Sequence, residues 1–140
     1  MMDGTPQVGD YTIAQKGIDL LEGLLEWRPQ IEKALKNADW SHTFDDLTNM
    51  VIHGQLEFHE FDDCFCFTQQ TVFPQFKTYH FMVAGGNMDS IIEKTEIFKN
   101  KARALGCRYL SFSGRKGFEP VLRKEGWTHR FTTMWLEVGE

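Results

Sequence analysis

One stretch in the second half of the chain constrains the fold more than any other. Bulky, strand-forming residues over 76–83 lead to two adjacent glycines, Gly85 and Gly86, and a long helical pattern follows over 89–105. Another strand-forming run, 108–113, comes directly after that helix. A strand, a crossover helix and a second strand in this order place the two strands parallel in one sheet. The chain is therefore predicted to belong to the α/β class.

The remaining patterns predict a mixed, mostly antiparallel sheet flanked by helices. Helical segments are separated at Pro29, which suits the first turn of a helix, and a further helix is expected after Thr43, which with Asp46 approximates a capping box. The predicted strands are 10–15, 56–59, 64–68, 76–83, 108–113 and 131–138, with a short helix at 118–125. We expect a single domain over 1–140, in which the polar residues 1–9 are flexible.

Composition excludes several classes of protein. No apolar run approaches the ~20 residues that cross a bilayer, and the polar N-terminus does not resemble a signal peptide. Three cysteines, Cys64, Cys66 and Cys107, do not form a disulfide framework and are simplest to explain in a reducing compartment. Cys64 and Cys66 alternate with phenylalanines, so they are predicted to be small buried side chains rather than zinc ligands with His59 and His80.

Charge is unevenly distributed along the chain. The net charge is −5, yet residues 91–130 carry ten Lys/Arg against four Glu, whereas residues 1–90 carry five against fourteen acids. Within the basic stretch, glycines flank two cations at a predicted helix start. This arrangement suits an anion or an acidic partner, or else it is a tight turn with solvated cations. The candidate residues for anion or partner binding are Arg115, Lys116, Arg123 and Lys124.

The order of elements, and the short helix that ends at Gly126-Trp127, resemble the GNAT (Gcn5-related N-acetyltransferase) family over essentially the whole chain. The resemblance implies an acetyl-CoA cofactor whose pyrophosphate lies on the turn after the long strand, where the family has Arg/Gln-x-x-Gly-x-Gly/Ala. Here the corresponding candidate loop is Gly85, Gly86 and Asn87. It has no basic residue, and Asp89 adds a like charge, which works against binding a pyrophosphate.

The catalytic residues that the resemblance implies are also absent. Many GNAT enzymes have a tyrosine four residues before the glycine of the Gly-aromatic pair, where it protonates the leaving thiolate of CoA, and Leu122 occupies that position. Glu57 and Glu60 are on the strand that often supplies a general base, although exposed strand glutamates are usually only solvated. We therefore expect no catalytic residue, no metal and no cofactor; the alternative is an N-acyltransferase that uses acetyl-CoA through a divergent loop.

A narrower resemblance concerns function. The segments 84–88, 104–107 and 113–122 are similar, in this order, to small proteins of tailed phages and prophages, near the internal virion protein A group of short-tailed phages. This implies a non-catalytic structural or binding module in or alongside virion assembly. Its expected partners are other phage virion or assembly proteins, with nucleic acid as a weaker option and no membrane span, and its expected location is the virion or the host cytoplasm.

Overall fold

The computed structural model describes residues 17–114 and 116–139. The predicted strand over 10–15, the flexible residues 1–9 and Arg115 lie outside the described residues. Two helices open the described part, α1 (residues 17–26) and α2 (Arg28–Asn37), separated at Trp27, with Pro29 in the first turn of α2 as predicted.

The third helix, α3 (Phe44–Ile52), begins at the predicted cap. Thr43 Oγ1 accepts a hydrogen bond from the Asp46 N–H, and Asp46 Oδ2 accepts one from the Thr43 N–H, at 3.1 and 2.9 Å. This reciprocal pair satisfies two backbone donors that the first helical turn leaves open. Gly54 follows the helix with φ +75°, a conformation that glycine adopts without strain.

A four-stranded sheet in the order β1-β2-β3-β4 forms the centre of the molecule. The strands are β1 (Glu57–Glu60), β2 (Cys64–Val72), β3 (Lys77–Gly86) and β4 (Tyr109–Phe112). β1, β2 and β3 are antiparallel neighbours, and β3 pairs with β4 in parallel, so the predicted mixed and mostly antiparallel α/β architecture is confirmed.

The crossover between β3 and β4 differs from the prediction in one respect. The single helix expected over 89–105 is two helices, α4 (Met88–Glu93) and α5 (Thr95–Ala104), which meet at Lys94. At that junction the Thr95 hydroxyl donates to the Ile92 carbonyl at 2.6 Å, and the Lys94 N–H bonds three residues back instead of four. Local side-chain bonding of this kind competes with the regular helical ladder.

The last predicted strand, 131–138, is wrong for the single chain. After a 3₁₀ turn (Lys116–Phe118) and α6 (Glu119–Lys124), residues 127–139 have no regular secondary structure. Their large apolar side chains remain exposed, because this segment pairs with no strand among the described residues. No described helix is both long enough and apolar enough to cross a membrane.

Two apolar clusters lie on opposite faces of the sheet. The first joins α1, α2 and α3 to Phe65 and Phe67, and the second packs α5 on Tyr79 and Phe81. In the second cluster, Phe98 of α5 is fully buried. Half-buried positions in contact with the same cluster are Leu105, Leu110 and Trp127; Leu122 is also half-buried and lines a nearby crevice.

The cysteines are buried as expected, and all three are free thiols. Burial raises the pKa of the Cys66 thiol to about 12, with a smaller contribution from neighbouring Cys64, so it stays protonated at neutral pH. Within residues 17–114 and 116–139, no group of three or more His, Cys, Asp or Glu side chains is arranged to hold a metal ion.

Candidate functional site

Strand β3 extends beyond the carboxyl end of β4. Their parallel pairing runs from Thr78 with Tyr109 to Phe81 with Phe112, where β4 ends, and β3 continues to Gly86 paired with β2 only. The carboxyl ends of parallel strands are the place where a ligand binds in many open α/β sheets. We call the space there the apolar crevice.

Side chains fill the apolar crevice almost completely. Its volume is about 20 Å³, little more than the ~10–15 Å³ that one water molecule needs. Aromatic rings occupy most of it: the Phe81 and Phe98 centroids are 4.9 Å apart, and those of Phe81 and Trp127 are 6.4 Å apart. The lining residues are Phe81, Ala84, Met88, Ile91, Ile92, Thr95, Phe98, Phe112, Leu122 and Trp127.

The candidate loop is largely part of the sheet. Gly85 and Gly86 belong to β3 and pair with Phe65 and Cys64 of β2, so the predicted turn begins later than expected. A Cβ on Gly85 would come within 2.7 Å of the Phe65 ring, which explains the glycine there by packing. A Cβ on Gly86 would lie 2.5 Å from the Asp63 carbonyl oxygen, and its φ is +91°.

The start of α4 is satisfied from within the chain. Asn87 Oδ1 accepts hydrogen bonds from the Asp89 and Ser90 N–H groups, at 3.0 and 3.4 Å, and the Asn87 N–H donates to the Asp63 carbonyl at 2.8 Å. Asn87 is thus the N-cap, and Asp89 is an acid in the first turn.

A second carboxylate, that of Asp63, lies beside the start of α4: the Ser90 hydroxyl donates to Asp63 Oδ2 at 2.6 Å. The sequence did not predict this contact. Two acids therefore surround the backbone donors on which an anion would depend.

A hydrogen-bonded polar cluster lies under α5, on the face of the sheet that also holds the apolar crevice. The sequence alone did not predict it. Its members are Glu57, His59, Thr68, Tyr79 and Lys101. The Tyr79 hydroxyl is its centre. It accepts from the Thr68 hydroxyl at 2.9 Å, donates to Glu57 Oε1 at 3.1 Å, and lies 3.2 Å from His59 Nε2. Strand alternation predicts that Glu57 and His59 share one face of β1. Only the pairing register of the three strands brings them into contact with Thr68 and Tyr79.

The electrostatics of the polar cluster make Glu57 a weak base. Burial alone would raise the pKa of its carboxyl, but the hydrogen bond and positive charge of Lys101, with Nζ 2.6 Å from Oε2, lower it overall, aided by the Tyr79 hydroxyl. Both Glu57 oxygens are engaged. Burial also lowers the pKa of His59 and raises that of Tyr79. These groups are held neutral or paired, as expected of a polar network that fixes α5 on the sheet.

A wider cleft of about 550 Å³ opens beside the polar cluster. Glu57 and Lys101 of the polar cluster line it, together with the amides of Gln55 and Gln70 and with apolar side chains such as Leu56. Its size is in the usual range for ligand sites. Glu60, the other candidate base, lies away from it, with its carboxylate against Gly23 of α1.

Of the predicted cationic residues, Lys116, Arg123 and Lys124 are described, and Arg123 and Lys116 both lie near Glu119, whose pKa they help to lower. Lys116 and Lys124 are exposed, and Arg123 forms a two-nitrogen ion pair with Glu119, at 3.1 and 2.7 Å, which offsets its charge. A Cβ on Gly114 would collide with the Phe112 ring, so this glycine is required by packing.

Comparison with known proteins identifies the fold. No protein-family model and no curated protein sequence matches the chain. The solved structure of a probable acetyltransferase aligns with a TM-score of 0.61 and 12% identity, over 86% of this chain and 95% of its own. An acetyltransferase of Trypanosoma brucei aligns with a TM-score of 0.49 and 14% identity, over 69% and 78%. The first of these alignments shows that the chain has a GNAT-like fold.

Proposed function

We propose that the protein is a non-catalytic module that uses the acetyltransferase fold to bind a partner or to build a larger assembly. The observation that carries the proposal is the filled apolar crevice. The acyl arm of a CoA thioester would have to enter at the carboxyl ends of β3 and β4, and only about 20 Å³ is open there. Entry would require the rings of Phe81 and Trp127 to move out of contact with each other.

The helix start beside the crevice supports the same proposal. A pyrophosphate binds to free backbone donors and to a favourable local charge. At α4 the Asn87 side chain already accepts hydrogen bonds from two of these donors, and Asp63 and Asp89 contribute negative charge. The residues present therefore fit a self-capped helix better than a CoA site.

Among the described residues, none that lines the crevice has a side chain suited to proton transfer. Leu122, at the position of the family's general acid, lines the crevice as an apolar residue. Glu57 is bonded through both oxygens to Lys101 and Tyr79, which leaves it little basicity. A binding role requires none of these groups.

The partner in this proposal is another phage virion or assembly protein, in the virion or the host cytoplasm. Support for the phage setting is the sequence similarity of residues 84–88, 104–107 and 113–122 described above. The contact surface in the proposal comprises Lys116 and Lys124, together with Arg115 and Arg123, which would face acidic groups of the partner.

Calorimetry with acetyl-CoA tests the proposal directly. We expect no binding at micromolar concentration, which would require about −8 kcal/mol, and we expect a gain in any weak residual affinity in the variant Asp89→Ser because one carboxylate is removed. The matched control is Asp45→Ser, which removes a first-turn acid from α3, a helix that packs on the opposite face of the sheet from the crevice. Micromolar binding by the unmodified protein would overturn the proposal and favour an N-acyltransferase.

A further inference from the structure

The C-terminal segment, residues 131–138, exposes more apolar surface than any other part of the described chain. Five large apolar side chains in eight positions are between 80% and 98% exposed. They are Phe131, Met134, Trp135, Leu136 and Val138. Contiguous exposed apolar residues of this kind mark an interaction surface rather than a solvated tail.

An acceptor for this segment exists on the sheet. β4 is the last strand in the sheet order, and among the described residues its outer edge pairs with no strand. An open edge is a ready template for another strand. The segment starts beside this edge, since the guanidinium of Arg130 lies 5.2 Å from the centroid of the Tyr109 ring.

The residue pattern of the segment fits a strand that is covered on both faces. Side chains alternate between faces in a strand, so Met134, Leu136 and Val138 share one face, and Phe131 and Trp135 share the other. β4 offers apolar contacts to both. Leu110 and Phe112 of β4 lie on the α5 side, packed against the second cluster, and Tyr109 lies on the opposite face, in edge contact with Phe76.

We propose that the C-terminal segment adds as a strand to the β4 edge of a second copy of this chain, and that the exchange is reciprocal. In the single chain the segment leaves its own sheet unpaired, although it starts next to an open edge. Each copy supplies one segment and one edge, so two copies satisfy both and the assembly closes as a symmetric dimer.

The area available is sufficient for a stable dimer. Aromatic side chains bury roughly 150–250 Å² each, so the four copies of Phe131 and Trp135 in a reciprocal pair contribute roughly 600–1,000 Å². The aliphatic side chains of both segments and the strand backbone add to this. The total reaches the roughly 1,200–2,000 Å² of a specific interface.

Sedimentation velocity of the full chain, combined with amide hydrogen exchange, tests this proposal. The expected result is a species of twice the 16.3 kDa chain mass, with slowly exchanging amides over 131–138. Leu136→Pro removes a ladder donor and Met134→Glu places a charge on a buried face, so each should weaken the dimer by at least about tenfold. The matched control is Ile52→Glu, at an exposed apolar position at the end of α3 (59% exposed), which should remain dimeric.

Two results would overturn the inference. A wild-type monomer with protected amides over 131–138 would show that the segment pairs with its own β4. A wild-type monomer with fast-exchanging amides would show that no copy of this chain accepts the segment. Met134→Glu leaves every backbone donor in place. If this variant is a monomer and its circular dichroism spectrum is unchanged, the dimer has dissociated without unfolding of the chain.

Discussion

Among single residues, Phe98 connects the helices to the sheet. Its side chain is 2% exposed and its ring contacts those of His59, Phe61, Tyr79 and Phe81. Phe98→Ala should therefore lower the free energy of unfolding by about 3–5 kcal/mol. The neighbouring Ile97 is 55% exposed on the same helix, and Ile97→Ala should change it by less than about 0.5 kcal/mol. Urea denaturation of both variants measures the difference; equal values would contradict the register of α5.

The histidines of the sheet predict how stability depends on pH. Burial and, to a smaller extent, the charge of Lys101 lower the pKa of His59, and burial lowers that of His80, so the folded state binds a proton less readily than the unfolded chain, whose histidines titrate near ~6.5. Stability is then complete above that value and declines as the pH falls from about 6.5 toward the lower folded pKa.

The variant His59→Gln tests the assignment to this ring. It keeps a hydrogen-bonding group near Thr68 and Tyr79 but cannot titrate, so the decline in melting temperature between pH 7.5 and pH 5 should be smaller than in the wild type. His129 is exposed, and His129→Gln should leave the decline unchanged. A decline of the same size in all three proteins would remove His59 from the explanation.

Secondary-structure elements show how far the sequence alone could lead. The parallel pairing of β3 and β4 followed from the crossover pattern, and the cap of α3 followed from Thr43 and Asp46, because both depend on nearby residues. The length of β3 could not be predicted in this way. Gly85 and Gly86 have the composition of a turn, but both pair with β2 as strand residues. They are glycines because Phe65 and Asp63 leave no space for a side chain there.

The candidate site shows the same limit of prediction from sequence: local features can be predicted, and long-range contacts cannot. The missing cation and the missing tyrosine are predictions from the sequence alone, because each is a property of one position. The sequence could not indicate that Asp63, 27 positions before Ser90, approaches the start of α4, nor that Tyr79 joins Glu57 and His59, since these contacts depend on long-range pairing. The strand over 131–138 failed for a related reason: its composition suits a strand, but a strand forms only when it pairs with another, and in the single chain this segment pairs with none of the described strands.

Across the whole molecule, charge is separated. Residues 91–130 carry ten Lys/Arg against four Glu in a chain of net charge −5, so one part of the surface should attract anions although the protein is acidic. We expect the wild type to be retained on immobilised heparin at low ionic strength and to elute as salt is raised, since salt screens exposed charges beyond about 10 Å at 0.1 M.

The double variant Arg115→Ala with Lys116→Ala should elute at clearly lower salt, with an unchanged melting temperature, because Lys116 is exposed and flanks no apolar cluster. The matched control is Lys33→Ala with Lys36→Ala on α2, which changes the net charge by the same amount at exposed positions within the acidic half. If the two double variants eluted together, retention would reflect net charge alone. A wild type that passes through the column at low salt would show that the cations of residues 91–130 do not form an anion-binding surface.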